Sequence, residues 1–326
     1  MLKKIVITSV LLTFVVVVFG AFVRLSDAGL GCPDWPGCYG HISVPESEAA
    51  RQSAIQNFPQ KKLESGKAWL EMIHRYLAGM LGLLILAIAV FSWRNRHSGA
   101  PVKLPVVVVG LVVLQAMLGM WTVTLLLKPV IVTLHLLGGM SILGLLTWLA
   151  MGQLSQGVNT GSMQYRQYRG WAVLGLFILF AQIALGGWVS SNYAALACTD
   201  FPLCQSQWMP PLDFHHGFQF IRELGVTASG ATLSNEALNA IHWTHRVGAL
   251  LTFTYFLLLG IILCTIRGIR AYGALMLIFL VIQVGIGISN ILLSLPLPLA
   301  VAHNAGAALL LMSVVALNFK LRQRSY

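Results

Sequence analysis

Eight runs of about twenty apolar residues dominate this chain, near 4–24, 69–93, 104–124, 130–152, 171–190, 238–263, 272–293 and 299–319. A helix of that length crosses roughly 30 Å of hydrocarbon. A membrane barrel would instead alternate apolar and polar residues in short segments. Only 10% of the residues are charged against 57% hydrophobic, and soluble domains carry roughly 25% charge. So few charges cannot cover a soluble surface, and disordered chains are poor in apolar residues. The expectation is an all-α membrane protein with eight transmembrane helices.

The charges set an expected topology. Lys3, Lys4, Arg94, Arg96, Lys103, Arg166, Arg169, Arg267, Arg270, Lys320, Arg322 and Arg324 fall in short segments at one set of helix ends, which marks that side as cytoplasmic. The acidic residues lie at or just inside the other side. Both termini are then cytoplasmic, and the two long connections, 25–68 and 191–237, lie outside. The net charge of +11 reads as a topology signal. No basic patch is interleaved with aromatics in a soluble segment, so no nucleic-acid partner is expected. Met1 to about Phe22 could pass for a secretory signal, and no Arg- and Ser-rich transit peptide precedes it. The expected location is a bacterial plasma (inner) membrane.

The two halves match. GAFVRLSDAGLGCPDWPGC at 20–38 parallels GGWVSSNYAALACTDFPLC at 186–204. Glu71-Met-Ile-His74-Arg75 parallels His242-Trp-Thr-His245-Arg246. Gln115 and Gly119 correspond to Gln283 and Gly287, and His135 and Gly138 to His303 and Gly306. Four crossings return the chain to its starting side, so the expected arrangement is two tandem four-helix bundles in parallel repeat. These are an N-terminal unit 1–155 and a C-terminal unit 156–326. Span 1 is the counterpart of the internal span 5, and is therefore expected to be retained.

His74, His135, His245 and His303 each fall five or six residues into spans 2, 4, 6 and 8, some ~8 Å below the outer helix ends. Polar residues at such depth are functional candidates. Zinc would want Cys or carboxylate neighbours, and a di-iron site two Glu-x-x-His motifs, where only Glu71/His74 fits. A His pair from facing helices of a four-helix bundle is a natural way to hold haem. Ala78, Gly79, Gly82, Gly138, Gly139, Gly248, Ala249 and Gly306 would let a flat macrocycle approach, or merely serve helix packing. Arg75 and Arg246 would fork onto haem propionates, or snorkel to headgroups.

One difference between the halves points to the chemistry. Glu71 shares a helix face with His74 and could move protons beside a haem, whereas the second half has His242 there and reads as an electron-carrying site. The alternative is an interfacial ion pair of Glu71 with Lys67 or Arg75. Cys32/Cys38 and Cys198/Cys204 are each expected to form a local disulfide in the oxidising exterior, as a staple or as a redox couple. Cys264 is expected to be a free thiol, and 208–225 an interfacial helix.

Together these features resemble the heme A synthase family. The resemblance spans nearly the whole chain and rests on the eight spans in two repeats, CPDWPGC and CTDFPLC, EMIHR and HWTHR, and His135 and His303. It implies oxidation of the ring methyl of haem O to the formyl group of haem A. It implies a haem b cofactor on His245 and His303, haem O at His74 and His135, and an essential Glu71. No flavin or nicotinamide motif is present, so electrons pass through the haem and an acceptor that the sequence does not name. A haem O synthase and further copies of this chain are the other expected partners. A two-haem electron carrier that oxidises quinol and a haem transporter or chaperone remain as alternatives.

Overall fold

The computed structural model describes residues 1–155 and 163–322; Arg324 and the start of the C-terminal unit at 156 lie outside them. Ten α-helices follow one another: α1 (Leu2–Leu25), α2 (Glu48–Asn57), α3 (Ser65–Arg94), α4 (Lys103–Thr124), α5 (Pro129–Leu154), α6 (Arg169–Ser191), α7 (Phe214–Gly217), α8 (Asn235–Cys264), α9 (Arg270–Leu292) and α10 (Leu297–Arg322). All except α2 and α7 are long and apolar enough to cross a membrane. The expected all-α membrane protein with eight spans is what the structure shows. Pro129 opens α5, where its missing N–H costs nothing. The Ser234 hydroxyl caps α8 by accepting from the Ala237 N–H. Helices α3 and α8 begin earlier than their apolar runs, and these polar first turns receive the outer loops.

The helices pack in two rings. In one, α1 and α4 each touch both α3 and α5; in the other, α6 and α9 each touch both α8 and α10. The diagonal partners, α3 with α5 and α8 with α10, are not packed neighbours and face each other across a ring interior. Between the rings, α5 packs on α6 and α10, and α1 packs on α10. Met140, Leu143 and Leu146 of α5 and Leu311, Val314 and Leu317 of α10 are buried in this seam. Lipid tails are as apolar as leucine, so close van der Waals packing must hold the helices together. Small residues permit it. A β-carbon on Gly273 would stand 2.9 Å from Leu263 Cβ and 3.1 Å from the Cys264 nitrogen.

The outer loops repeat one local design. Disulfides join Cys32 to Cys38 and Cys198 to Cys204. The second cysteine of each pairs with the backbone three residues on, at His41 and Gln207. Asp34 accepts from the Tyr39 and Gly40 N–H groups at 2.6 and 2.8 Å. Asp200 accepts from those of Gln205 and Ser206, both at 2.7 Å. The Ser206 bond most of all holds the Asp200 carboxyl below its ordinary pKa.

Two features of the loops depart from expectation. The first loop holds a helix, α2, capped by the Ser47 hydroxyl on the Ala50 N–H. Segment 208–225 is no continuous interfacial helix, since only Phe214–Gly217 is helical. Pro210 and Pro211 exclude a helix before Asp213. Gly217 then lies against the backbone of α8, where a β-carbon would be 2.8 Å from Ala237 O. Beyond it, the buried Arg222 reaches back to Asn192. Cys264 is a free thiol, as expected.

A Gly273→Leu substitution places a branched side chain where Leu263 and the α8 backbone already stand. Overpacking costs typically ~1–3 kcal/mol. The purified variant in detergent should unfold at a lower temperature than the parent, while Gly110→Leu, whose β-carbon meets nothing within 4 Å, should not.

Candidate functional site

His74 and His135 come from the diagonal helices α3 and α5, and His245 and His303 from the diagonal helices α8 and α10. The sequence brings them there through glycines on the intervening helices. A β-carbon on Gly20 of α1 would stand 2.8 Å from the Cε1 of His74, and one on Gly119 of α4 would stand 3.2 Å from that of His135. Gly186 and Gly287 do the same for His245 and His303, at 3.2 and 2.9 Å. Each imidazole thus lies in a notch that any larger residue would fill. Gly138, Gly248 and Gly306 are occupied differently. Each instead makes room for a glutamine side chain, Gln115, Gln182 and Gln283 respectively.

The polar edges of these rings support a ligand-holding role. Nδ1 of His74, His135 and His303 is buried with no hydrogen-bond partner. All four histidines are half-buried as whole residues, so for these three the accessible part of the side chain lies away from Nδ1. Among the described residues no three His, Cys, Asp or Glu side chains converge into a metal cluster. Imidazoles from diagonal helices, each cradled by glycine and three of them without a partner at Nδ1, are residues that could hold a haem in each ring.

Glu71 does not stand free. It is 5% exposed, and its carboxylate accepts from the Cys32 N–H at 2.9 Å and from Arg75 Nη2 at 2.5 Å. Lys67 pairs with Glu64 instead. Arg75 also donates to the carbonyls of Pro36 and Gly37, at 3.1 and 2.5 Å. The second half repeats the arrangement with a different residue. His242 Nδ1 accepts from the Cys198 N–H at 3.2 Å, and Arg246 donates to the carbonyls of Leu203 and Cys198, both at 2.7 Å. In both halves, therefore, the residue three before the histidine and the arginine after it clamp the disulfide loop onto the helix. Spacing alone did not reveal this clamp. Nor did it reveal Gln182, whose Nε2 lies 3.0 Å from His245 Nδ1; the signal was a lone amide in an apolar span.

Arg75→Ala leaves two carbonyls and a carboxylate without their donor, at about 1.5–3 kcal/mol for each charged bond. Hydrogen exchange of the Cys32–Tyr39 amides should speed by roughly tenfold or more, since ~1.4 kcal/mol is tenfold. The loop at 198–204 should stay as protected as in the parent.

The relatives point the same way as the geometry. A protein from Shewanella oneidensis named Heme A synthase is 44% identical over 313 residues, 96% of this chain and 94% of its own length. Proteins of the same name from Caulobacter sp. (strain K31) and Nitrosospira multiformis are each 27% identical, over 96% of this chain and 93% and 91% of theirs. The family model described as COX15-CtaA, cytochrome oxidase assembly protein, matches residues 3–315. With its eight spans and a histidine pair on the diagonal helices of each ring, this chain belongs to the COX15-CtaA family of cytochrome oxidase assembly proteins.

Proposed function

We infer that this chain is a membrane oxidoreductase that converts haem O to haem A by oxidising one ring methyl to a formyl group. The observation that carries the reading is the pair of histidines on the diagonal helices of each ring, in a chain nearly half identical to a heme A synthase along its length. Methyl to aldehyde is a four-electron oxidation. Two hydroxylations of the same carbon give a hydrate that loses water.

The halves divide the work. His245 and His303 hold the cofactor haem, of b type, which when bound supplies one-electron chemistry. His74 and His135 receive haem O. Glycine notches fix the imidazoles, and the apolar walls of the rings exclude water. Arg75 and Arg246 sit at the loop end of each ring. They donate to loop carbonyls and retain further N–H groups for propionates. Glu71 joins the substrate histidine helix to the loop, and its carboxylate, three residues before His74, is able to take up a proton. The disulfides Cys32–Cys38 and Cys198–Cys204 brace the loops that Glu71 and His242 grip.

The same reading gives the chain its place. Its halves, 1–155 and 156–326, are tandem copies of one four-helix unit, with both termini in the cytoplasm and the disulfide loops outside a bacterial inner membrane. In support, residues one repeat apart meet across the seam. Arg24 donates to Ser190 O at 3.0 Å, and Tyr193 OH to Asp27 at 3.0 Å. A haem O synthase supplies the substrate, an electron acceptor takes the electrons, and copies of this chain assemble together.

Two measurements test the assignment. His245→Ala and His303→Ala should each lose the tightly held low-spin haem of the purified protein, and unchanged haem content and spectrum in both would overturn it. Glu71→Gln keeps an acceptor for the Cys32 N–H but cannot titrate. It should retain the second-half haem and protection of the 32–38 loop, while haem A formation falls by roughly 10²-fold or more. Normal haem A yield would exclude a proton role for Glu71. Loss of yield accompanied by loss of loop protection would reduce its role to the clamp.

A further inference from the structure

Three of the four histidines have a glutamine beside them, seated on a glycine three residues further along the histidine's own helix. Gln115 lies on Gly138 beside His135, Gln283 on Gly306 beside His303, and Gln182 on Gly248 beside His245. His74 lacks both parts. Where the second half has Gln182 and Gly248, the first has Val16 and Leu77, and the His74 Nδ1 is buried without a partner. The amides also differ in what they reach. Gln115 donates to the backbone carbonyl of His135 at 2.6 Å and leaves the ring alone. Gln182 meets the His245 ring at Nδ1, 3.0 Å away, and its backbone carbonyl at 3.1 Å. Gln283 reaches the His303 ring at Nε2, 3.3 Å away, and leaves its Nδ1 without a partner, so that only Gln182 meets an Nδ1. Ring-directed amides therefore occur in the second half alone among the four described sites.

We propose that Gln182, seated on Gly248, is a positioning residue that makes His245 a permanent haem ligand, and that its replacement by Val16 and Leu77 leaves His74 the exchangeable one. The inference rests on the reading of His245 and His303 as cofactor ligands. A ligating imidazole is oriented, and its basicity raised, by a partner on its other ring nitrogen. In the structure the Gln182 amide nitrogen faces both His245 Nδ1 and the His245 carbonyl; with iron on Nε2 the proton stays on Nδ1, and the amide turns end for end to present its oxygen, giving up the carbonyl bond. A His74 ring held by packing alone can turn away from iron with no hydrogen bond to break. A cofactor must stay and a substrate must enter and leave, and the two halves differ in the element that would separate those needs.

The test uses the full chain in detergent, loaded with haem, with apomyoglobin as the haem acceptor. Gln182→Val installs the residue of the first half. Loss of the second-half haem should quicken by roughly 10–100-fold, the usual effect of removing such a partner. Its reduction potential should rise, by ~59 mV for each tenfold loss of ferric over ferrous binding. Gln182→Glu, of the same shape but ionised, should lower the potential. The double variant Val16→Gln with Leu77→Gly should slow haem loss from the first half. Transfer rates and potentials equal to the parent's in Gln182→Val overturn the proposal. Should that variant fail to accumulate, an unchanged potential in Gln182→Glu does so. His245→Ala separates the two levels of argument. If it keeps the low-spin haem, the ligand assignment itself fails; if it loses the haem while the Gln182 variants behave as the parent, only the present inference falls.

Discussion

An imidazole buried in a membrane bundle must either find a partner for each nitrogen or hold a ligand, because an unmade hydrogen bond there costs about 1–3 kcal/mol. Here three of the four deep histidines keep a sealed Nδ1 with no partner, and all four rings lie in notches left by glycine on the next helix. The rest of the structure follows from that constraint. Rings must meet across a bundle, so the histidine helices are diagonal and the glycine helices lie between them. Glycine here permits close approach and does not relieve backbone strain, since all four notch positions are helical.

The outer loops belong to the same construction. A helix turn above each leading histidine carries a group that accepts from the first cysteine's N–H, a carboxylate in one half and an imidazole in the other. The following arginine collects the loop's carbonyls. Exchanging glutamate for histidine preserves the clamp and alters its charge. The Glu71–Arg75 pair is ionic, with both partners largely shielded, whereas the His242 ring, which accepts at Nδ1 from Cys198, brings only its other nitrogen to within 3.3 Å of Arg246 Nε. The local fold is thus common to both loops while the proton chemistry available at each is not. The seam between the rings is held by leucine and valine in its depth, and by polar contacts such as Arg24–Tyr193 and Lys128–Glu223 at the loop end.

Sequence by itself determined the number of spans, the helical class and the identity of the ligand candidates. Twenty apolar residues admit few structures in hydrocarbon, and a histidine within such a run is conspicuous whatever it touches. The two local disulfides were legible for a similar reason, since six residues of separation and the Pro and aromatic residues between suit a tight turn. The roles of Arg75, Arg246 and Glu71 were not. A charged group near a helix end can face a propionate, a headgroup or a loop, and only the position of the 32–38 backbone decides that it faces the loop. Helix α2 and the irregular course of 208–225 were also decided by tertiary structure, because short polar segments carry little periodicity and take their shape from what they pack on. The glycines make the same point most sharply. Gly138 and Gly20 look alike in a sequence, yet one makes room for a glutamine and the other for an imidazole. That difference depends on how the helices are rotated against one another, which packing settles and no single span encodes.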